Sequence, residues 1–324
     1  MEVVVPYARN RIAYAVAKSL SEVPGTHIYT ADSIALPMSL FSRHTSWRYF
    51  RHPCPWTQEA DFVAWARDRL LDGYTIFPTW MESWVLSKYK LAPYMPSYST
   101  IMQANDKWAV HTLCERLGIP TPPTVYITTP KVFKPLSKRG SDGRVYLGDG
   151  ILQERVYGDA IGVGMMFIRG ELRAKCAWKR LAEYPRDGGM SVVRESIRAS
   201  QQEEHAEALL EALNWHGPAM VEFKGDYVLE INPRLWGSLQ LSIDAGVDFP
   251  KLILQMLTHG DCHKITSWRT GVVTSYLAGC LRTLQTPRGH LEDFSFSDPL
   301  PFFAQFATPL GNALRGKGWT LDTH

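Results

Sequence analysis

Four side chains between residues 222 and 234 could do chemistry together: Glu222, Glu230, Asn232 and Arg234. They sit in VEFKGDYVLEINPRLWGSLQ, residues 221–240, which reads as two short strands, 219–224 and 227–231, joined by a tight turn. Side chains alternate faces along a strand, so Glu230 and Asn232 share one face. Lys224-Gly225-Asp226 has hairpin turn chemistry, and pairing across it brings Glu222 to that same face. Pro233 cannot donate to a ladder; it ends the second strand and leaves Arg234 just beyond. Two carboxylates and an amide oxygen are hard ligands suited to Mg2+, which keeps waters and shares its other positions with phosphate oxygens. A guanidinium beside them suits a phosphoryl group. Two glutamates in a hairpin are commonly solvated charges. Here the Glu230 strand is otherwise apolar (Tyr227, Val228, Leu229, Ile231) and reads as buried.

Something must hold that hairpin. Residues 1–104 read as strands alternating with helices, which argues for a small parallel sheet. VVVPYA is a strand, Asn10 to Glu22 a helix, HIYTAD a strand, Gln58 to Leu70 a helix, TIFPTW a strand, and Glu82 to Lys90 a helix. No GxGxxG follows the first strand, so a dinucleotide fingerprint is absent. Between these elements, SLFSRHTSWRYFRHPCPW reads as a surface loop or as a segment reaching into a cleft. A helix within 105–125, with Trp108, Leu113 and Leu117 as its apolar stripe, ends at Gly118. Strand-like runs over 126–157 are interrupted by KPLSKRGSDGR, and 158–184 alternate in strand fashion with a turn at Arg169-Gly170. Helices are expected over Gln201–Leu213, Ser238–Ala245 and Pro250–Thr258. The aromatic-rich segments 41–56 and 268–304 suit a roomy or flat pocket.

Composition bounds the function. At 324 residues the chain can bury two or three cores, and a net charge of +3 is too small to imply a nucleic-acid partner. The five cysteines have no CxxC spacing, which argues against a zinc ribbon or a disulfide framework and suits a reducing cytoplasm. His259, Cys262 and His263 lie close together but lack a second ligand pair. Neither a secretory leader nor an apolar run of bilayer length is visible, so no membrane partner is expected.

The Glu…Glu-x-Asn-Pro-Arg pattern resembles the metal-binding signature of the ATP-grasp superfamily, of the carboxylate–amine ligase type (carbamoyl-phosphate-synthase-like or D-aspartate-ligase-like). Four further stretches occur in the family's order. NDKW places Lys107 where a basic residue contacts ATP phosphate; Asn105 or Asp106 capping a helix beside a solvated Lys107 is the plainer reading, and both can hold. Lys134 and the glycine loop with Gly140, Ser141 and Gly143 resemble the lid over the phosphates. ILQERVYGDAIGVG resembles the hinge: Gln153, Glu154 and Val156 at the adenine edge, Asp159 for the ribose. KRLAEYPRDGGMS puts Arg180 near the phosphates and a Gly188–Ser191 loop near the acyl acceptor. The short interval from Lys134 to Gln153 implies a lid without its usual helical insert.

The resemblance implies an α/β protein: an ATP-grasp fold preceded by a small parallel, Rossmann-like domain. Its expected divisions are 1–104 for the first domain, 105–157 for the lid, and 158–324 for the core with a C-terminal extension. It implies ATP and Mg2+ (or Mn2+), with Glu222, Glu230 and Asn232 on the metal. Lys107, Lys134, Ser141, Gln153, Glu154, Val156 and Asp159 would bind nucleotide, and Arg234 and Arg180 would act at the transferring phosphoryl group. The expected reaction joins a small-molecule carboxylate to an amine, one of them an amino acid, in a cytoplasmic enzyme compatible with a homodimer. A kinase, another acyl-phosphate-forming enzyme and a non-catalytic nucleotide-binding protein are the alternatives.

Overall fold

The computed structural model describes residues 1–127, 134–135, 150–184 and 189–306. The first unit is a parallel sheet. Strands β1 (Glu2–Val5), β2 (His27–Asp32), β3 (Tyr49–Arg51) and β4 (Thr75–Ile76) lie in the order β3-β2-β1-β4. Helices α1 (Arg11–Ser21), α2 (Glu59–Leu71) and α3 (Glu82–Lys88) connect and cover it. Helix α1 starts where Asn10 Oδ1 accepts from the Ala13 amide at 2.8 Å, and it buries Ile12, Ala13, Val16, Ala17 and Leu20. The segment read as a loop holds a 3-10 turn, Met38–Phe41, and the edge strand β3. A three-residue strand is too short for periodicity to reveal.

Two helices follow end to end, α4 (Tyr98–Asn105) and α5 (Lys107–Leu117). Asp106 divides them: its Oδ1 accepts from the amides of Trp108 and Ala109 at 2.8 and 3.0 Å. Gly118, at φ 67°, closes α5 as expected. Leu117 of the expected stripe is exposed; Val110 and Cys114 are buried with Leu113 instead. Strands β5 (Thr124–Ile127), β6 (Lys134–Pro135) and β7 (Gly150–Gln153) form a small antiparallel sheet in the order β5-β7-β6.

The largest layer is a seven-stranded sheet, β12-β11-β8-β9-β10-β13-β14. Its strands are β8 (Ala160–Ile168), β9 (Glu171–Tyr184), β10 (Met190–Ile197), β11 (Gly217–Lys224), β12 (Tyr227–Asn232), β13 (Val273–Ser275) and β14 (His290–Leu291). All neighbours are antiparallel except β13 and β14. Helices α6 (Ser200–Ala212), α7 (Leu239–Asp244), α8 (Phe249–His259), α9 (Leu277–Thr283) and α10 (Leu300–Ala304) complete the described chain. The architecture is the α/β arrangement expected, a parallel four-stranded unit followed by an antiparallel sheet. No helix among the described residues is long and apolar enough to cross a membrane.

Two glycines on β8 let the sheet carry large rings. A Cβ on Gly162 would lie 2.5 Å from the Trp178 ring, and one on Gly164 would lie 2.2 Å from the Trp236 ring. Trp178 and Trp236 stack at 5.6 Å, and Phe249 meets Trp236 edge-on at 4.8 Å, so neither ring can retreat. Trp236 is fully buried two residues after Arg234, and its seating fixes the chain leaving β12. Gly164→Ala is therefore expected to destabilise the fold by ~1–3 kcal/mol, the range for overpacking a filled core. Urea unfolding followed by tryptophan fluorescence reads this. An unchanged midpoint and slope would show that the Trp236 seat relaxes freely.

Candidate active site

The hairpin forms with a two-residue turn. Lys224 pairs with Tyr227 across Gly225-Asp226, and Glu222 stands directly opposite Glu230. Between the Glu222–Glu230 and Phe223–Val228 pairs the register slips, and Leu229 is the extra residue. This β-bulge lets Val228 stay in the core while Glu230 and Asn232 share the opposite face. It also changes the burial expected of β12: Val228 and Ile231 are buried, Leu229 is half-buried, and Tyr227 is exposed.

Like charges directly opposite on an antiparallel pair repel. The surroundings answer each one. Lys107 Nζ lies 2.7 Å from Glu230 Oε2, and Arg180 Nη2 lies 2.8 Å from Glu222 Oε2. Asn232 Nδ2 donates to Glu222 Oε1 at 3.3 Å and to Glu230 Oε1 at 3.2 Å. Asp106 caps α5 and sets Lys107 in its first turn, and α5 packs on β12. Capping and ion pairing thus coexist at NDKW. Arg180 comes from β9, donates to the Gly189 carbonyl at 3.2 Å, and lies 3.6 Å from Glu183. The adjacent Glu222 carboxylate raises the Arg180 pKa above the usual guanidinium range.

Arg234 is placed differently. Its Nη1 donates to the Leu235 carbonyl at 2.8 Å and its Nη2 to Asn232 Oδ1 at 3.1 Å. Its guanidinium lies 3.6 Å from the centroid of the Trp80 ring. Burial pushes it down to about 10, against the opposing pull of Glu230 and Glu222, so it stays charged at neutral pH. Trp80 is held in turn by Glu82, whose Oε1 accepts from the amides of Thr79 and Trp80 at 2.7 and 3.0 Å. Glu82 is fully buried, and burial raises its pKa.

Six of the residues singled out from sequence therefore meet: Lys107, Arg180, Glu222, Glu230, Asn232 and Arg234. The residues expected at the hinge lie elsewhere, along β7 and its connection to β8. Gln153 donates to Thr124 Oγ1 at 3.1 Å, the Glu154 amide to the Pro123 carbonyl at 2.9 Å, and both side chains line an open cleft with Thr124, His111 and Glu115. Val156 is half-buried; Asp159 is exposed, and its carbonyl accepts from the Gly225 amide at 2.8 Å. Lys134 is placed only by its backbone, as the first residue of β6 opposite Ile151. Ser141, the rest of the glycine loop and Gly188 lie outside the described residues.

Beside the cluster is a cavity of about 330 Å³ between the two units. Arg180, Glu222 and Arg234 line it from the large sheet, joined by Tyr7, Arg9, Arg11 and Trp80 from the first unit and by Arg194 and Tyr276. The sequence reading missed these last six. One signal was available: Arg9 and Arg11 follow β1 and Trp80 follows β4, and open parallel sheets bind ligands beyond the carboxyl ends of their strands. The segment 41–56 supplies none of this lining; Phe50 packs with Tyr29 and Tyr74 instead.

The donor set fits a hard divalent cation. Two opposed carboxylates and a buried amide converge; a half-turn of the Asn232 amide would present its oxygen beside both, at the cost of its bond from Arg234 Nη2. Among the described residues no group of three His, Cys, Asp or Glu offers an alternative, His259, Cys262 and His263 included.

The family model described as "ATP-grasp in the biosynthetic pathway with Ter operon" matches residues 149–280. No curated protein matches the chain by sequence. Among solved structures, the L-amino acid ligase from Bacillus licheniformis is similar at a TM-score of 0.61 and 14% identity, over 79% of this chain and 73% of that one. The biotin carboxylase domain of the Hydrogenobacter thermophilus 2-oxoglutarate carboxylase, in complex with MgADP, ADP and bicarbonate, is similar at 0.63 and 15%, over 84% and 73%. Pyruvate carboxylase from Rhizobium etli is similar at 0.58 and 17%, over 80% of this chain, which spans only 27% of that much longer protein. The Glu-x-Asn-Pro-Arg strand end lies inside the segment that matches the ATP-grasp model, so residues 149–280 are similar to that family, and the chain shares the fold of these solved structures.

Proposed function

We propose that the protein is an ATP-dependent ligase that joins a carboxylate to an amine through an acyl phosphate, releasing ADP and phosphate. The observation that carries this reading is the opposed Glu222–Glu230 pair, flanked by Lys107, Arg180 and Arg234 at the edge of an arginine-walled cavity. Glu222, Glu230 and Asn232 would hold Mg2+, which when bound neutralises charge on the phosphate oxygens. The chain's own residues do the rest by position and charge. Lys107 and Arg180 are cations within reach of the same carboxylates, placed to bind phosphate oxygens. Arg234, gripped by Trp80, Asn232 and the Leu235 carbonyl, cannot wander and faces the charge that develops on the transferring group. In the first step a carboxylate oxygen attacks the γ-phosphorus, and the bond to the bridging oxygen breaks to release ADP. In the second the amine attacks the acyl carbon, loses a proton, and expels phosphate. Lys134, Ser141, Gln153, Glu154, Val156 and Asp159 are assigned to the nucleotide on the resemblance alone.

The cavity favours an organic acid over bicarbonate. Its volume and its mixed wall of Met38, Met190, Tyr276 and guanidinium groups exceed what a three-oxygen anion would fill. The test is ADP release from MgATP with amino acids and small carboxylic acids in pairs, products read by mass spectrometry. Acid-dependent ADP release, trapped as a hydroxamate when hydroxylamine replaces the amine, is expected. A stable phosphorylated acid would mark a kinase. Tight ATP binding with no ADP formed across the panel would mark a non-catalytic protein.

A further inference from the structure

The charges lining the cavity are unequal. Five of its side chains are arginines (Arg9, Arg11, Arg180, Arg194 and Arg234), and one, Glu222, is a carboxylate. Two arginines are answered locally: Arg9 by Asp32, and Arg180 by Glu222 and Glu183. Arg234 has no carboxylate oxygen within ion-pair distance among the described residues. Arg11 and Arg194 share a single one, Glu292: its Oε2 lies 2.5 Å from Arg194 Nη2 and 3.6 Å from Arg11 Nε. One positive charge is therefore in excess at the Arg11–Arg194 pair; at the other end Glu183, Glu222 and Glu230 balance Arg180, Arg234 and Lys107 in number, although none of them reaches Arg234.

The far end is built as an anion seat. Arg11 is the first residue of α1, and the amides of Arg11 and Ile12, both at the cavity, have no intrahelical acceptor. The Arg11 guanidinium is braced. Nε donates to the Gly237 carbonyl at 2.8 Å, Nη1 lies 3.2 Å from Met190 Sδ, and the group covers the Tyr276 ring at 4.3 Å. A Cβ on Gly237 would fall 2.5 Å from Arg11 Nη2, so the glycine is what leaves room for it. Arg194 is 1% exposed and lines the same cavity; its Nη1 donates to the Ser191 carbonyl at 3.3 Å, and its Nε has no hydrogen-bond partner. Asn10, at the start of α1, lines the cavity too, and its Nδ2 is also buried without a partner. Buried donors left unsatisfied are costly, and an anion in the cavity would meet the Arg11 guanidinium and the start of α1, with the Arg194 charge buried just behind.

We infer that the acid substrate carries two anionic groups: the reacting carboxylate at Arg234 and Arg180, and a second carboxylate or phosphate held by Arg11, Arg194 and the start of α1. Only short chain segments separate the two ends. Gly189 accepts from Arg180 while the adjacent Met190 meets Arg11, and Gly237 lies three residues after Arg234. Three residues of chain span at most ~11 Å, which bounds the Arg234–Gly237 Cα separation and suits a diacid of a few carbons. The inference rests on the ligase reading for the role of the first end; the second end stands on its own donors.

The test compares length-matched acids on the wild type, Arg11→Gln and Arg11→Lys. Glutarate and L-glutamate are set against valerate and 4-aminobutyrate, with 4-phosphonobutyrate as the phosphate-like arm. Thermal shift without nucleotide reads the anion seat directly. Dianions should raise the wild-type melting temperature more than their monoanionic partners, and Arg11→Gln should abolish the difference. Where an acid supports ADP release, its KM should rise about 10- to 100-fold in Arg11→Gln, the worth of a charge-assisted hydrogen bond, with kcat little changed. Arg11→Lys should recover part of the affinity. A preference for the phosphonate assigns the far group as phosphate. Monoanions that stabilise the wild type as well as dianions do, or an Arg11→Gln variant that keeps the dianion shift, overturn the inference. MgADP affinity is measured alongside by calorimetry. Failure there removes the ligase reading, whatever the anions show.

Discussion

Glu230→Gln is expected to fold like the wild type and to lose ~10²-fold or more of acid-dependent ADP release, the usual consequence of removing one electrostatic group from a preorganised site. The substitution keeps shape and removes charge. Gln can still accept from Lys107 Nζ, now 2.7 Å from Glu230, and can still meet Asn232. Glu230 sits at the rim with 23% of its side chain exposed, so the fold loses little. What disappears is half of the negative charge that would draw a divalent ion between two strands. The loss should therefore appear twice, as weaker Mn2+ binding by electron paramagnetic resonance and as lower turnover that excess Mg2+ partly restores. Circular dichroism checks the fold. Turnover and Mn2+ affinity equal to the wild type would remove the metal from this hairpin.

The second large effect is expected at Arg234. Arg234→Met should lower kcat by ~10²–10³-fold, equivalent to ~2.7–4 kcal/mol of transition-state stabilisation. Arg234→Lys should fail to restore it. The guanidinium makes a flat contact with Trp80 at 3.6 Å while donating to Asn232 and to the Leu235 carbonyl, and an ammonium group cannot do all three. Burial pushes this arginine down to about 10, so it remains charged at pH 7 and its contribution is present there in full. Single-turnover measurement of ADP formation at saturating MgATP separates this from weaker binding. A lysine variant with wild-type kcat would place Arg234 in structure and outside the chemistry.

Much of the fold was legible locally. Strand β2 spans His27–Asp32 as read, and α1 lies between the Asn10 and Glu22 that bounded it. Cap chemistry and apolar period act over a few residues, so they survive whatever the rest of the chain does. Helix α4 was not read, because Tyr98–Asn105 is short and follows a proline-rich run with little apolar pattern. The Leu229 bulge left no trace either: it contains no glycine and arises from the competition between burying Val228 and aiming Glu230 outward.

From the sequence alone came the chemical identity of the site, two glutamates, an asparagine and an arginine on one hairpin; an unbulged two-residue turn would pair Glu222 with Leu229 and leave the glutamates on opposite faces, so the Leu229 bulge is what brings them together. Only the tertiary structure decided what faces them. Lys107 is 123 residues from Glu230, and Arg11 is 226 from Gly237. No local rule of period or turn can join residues so far apart. Packing α5 on β12 and α1 on α7 and α8 does so, and with that packing comes the arginine-rich wall of the cavity.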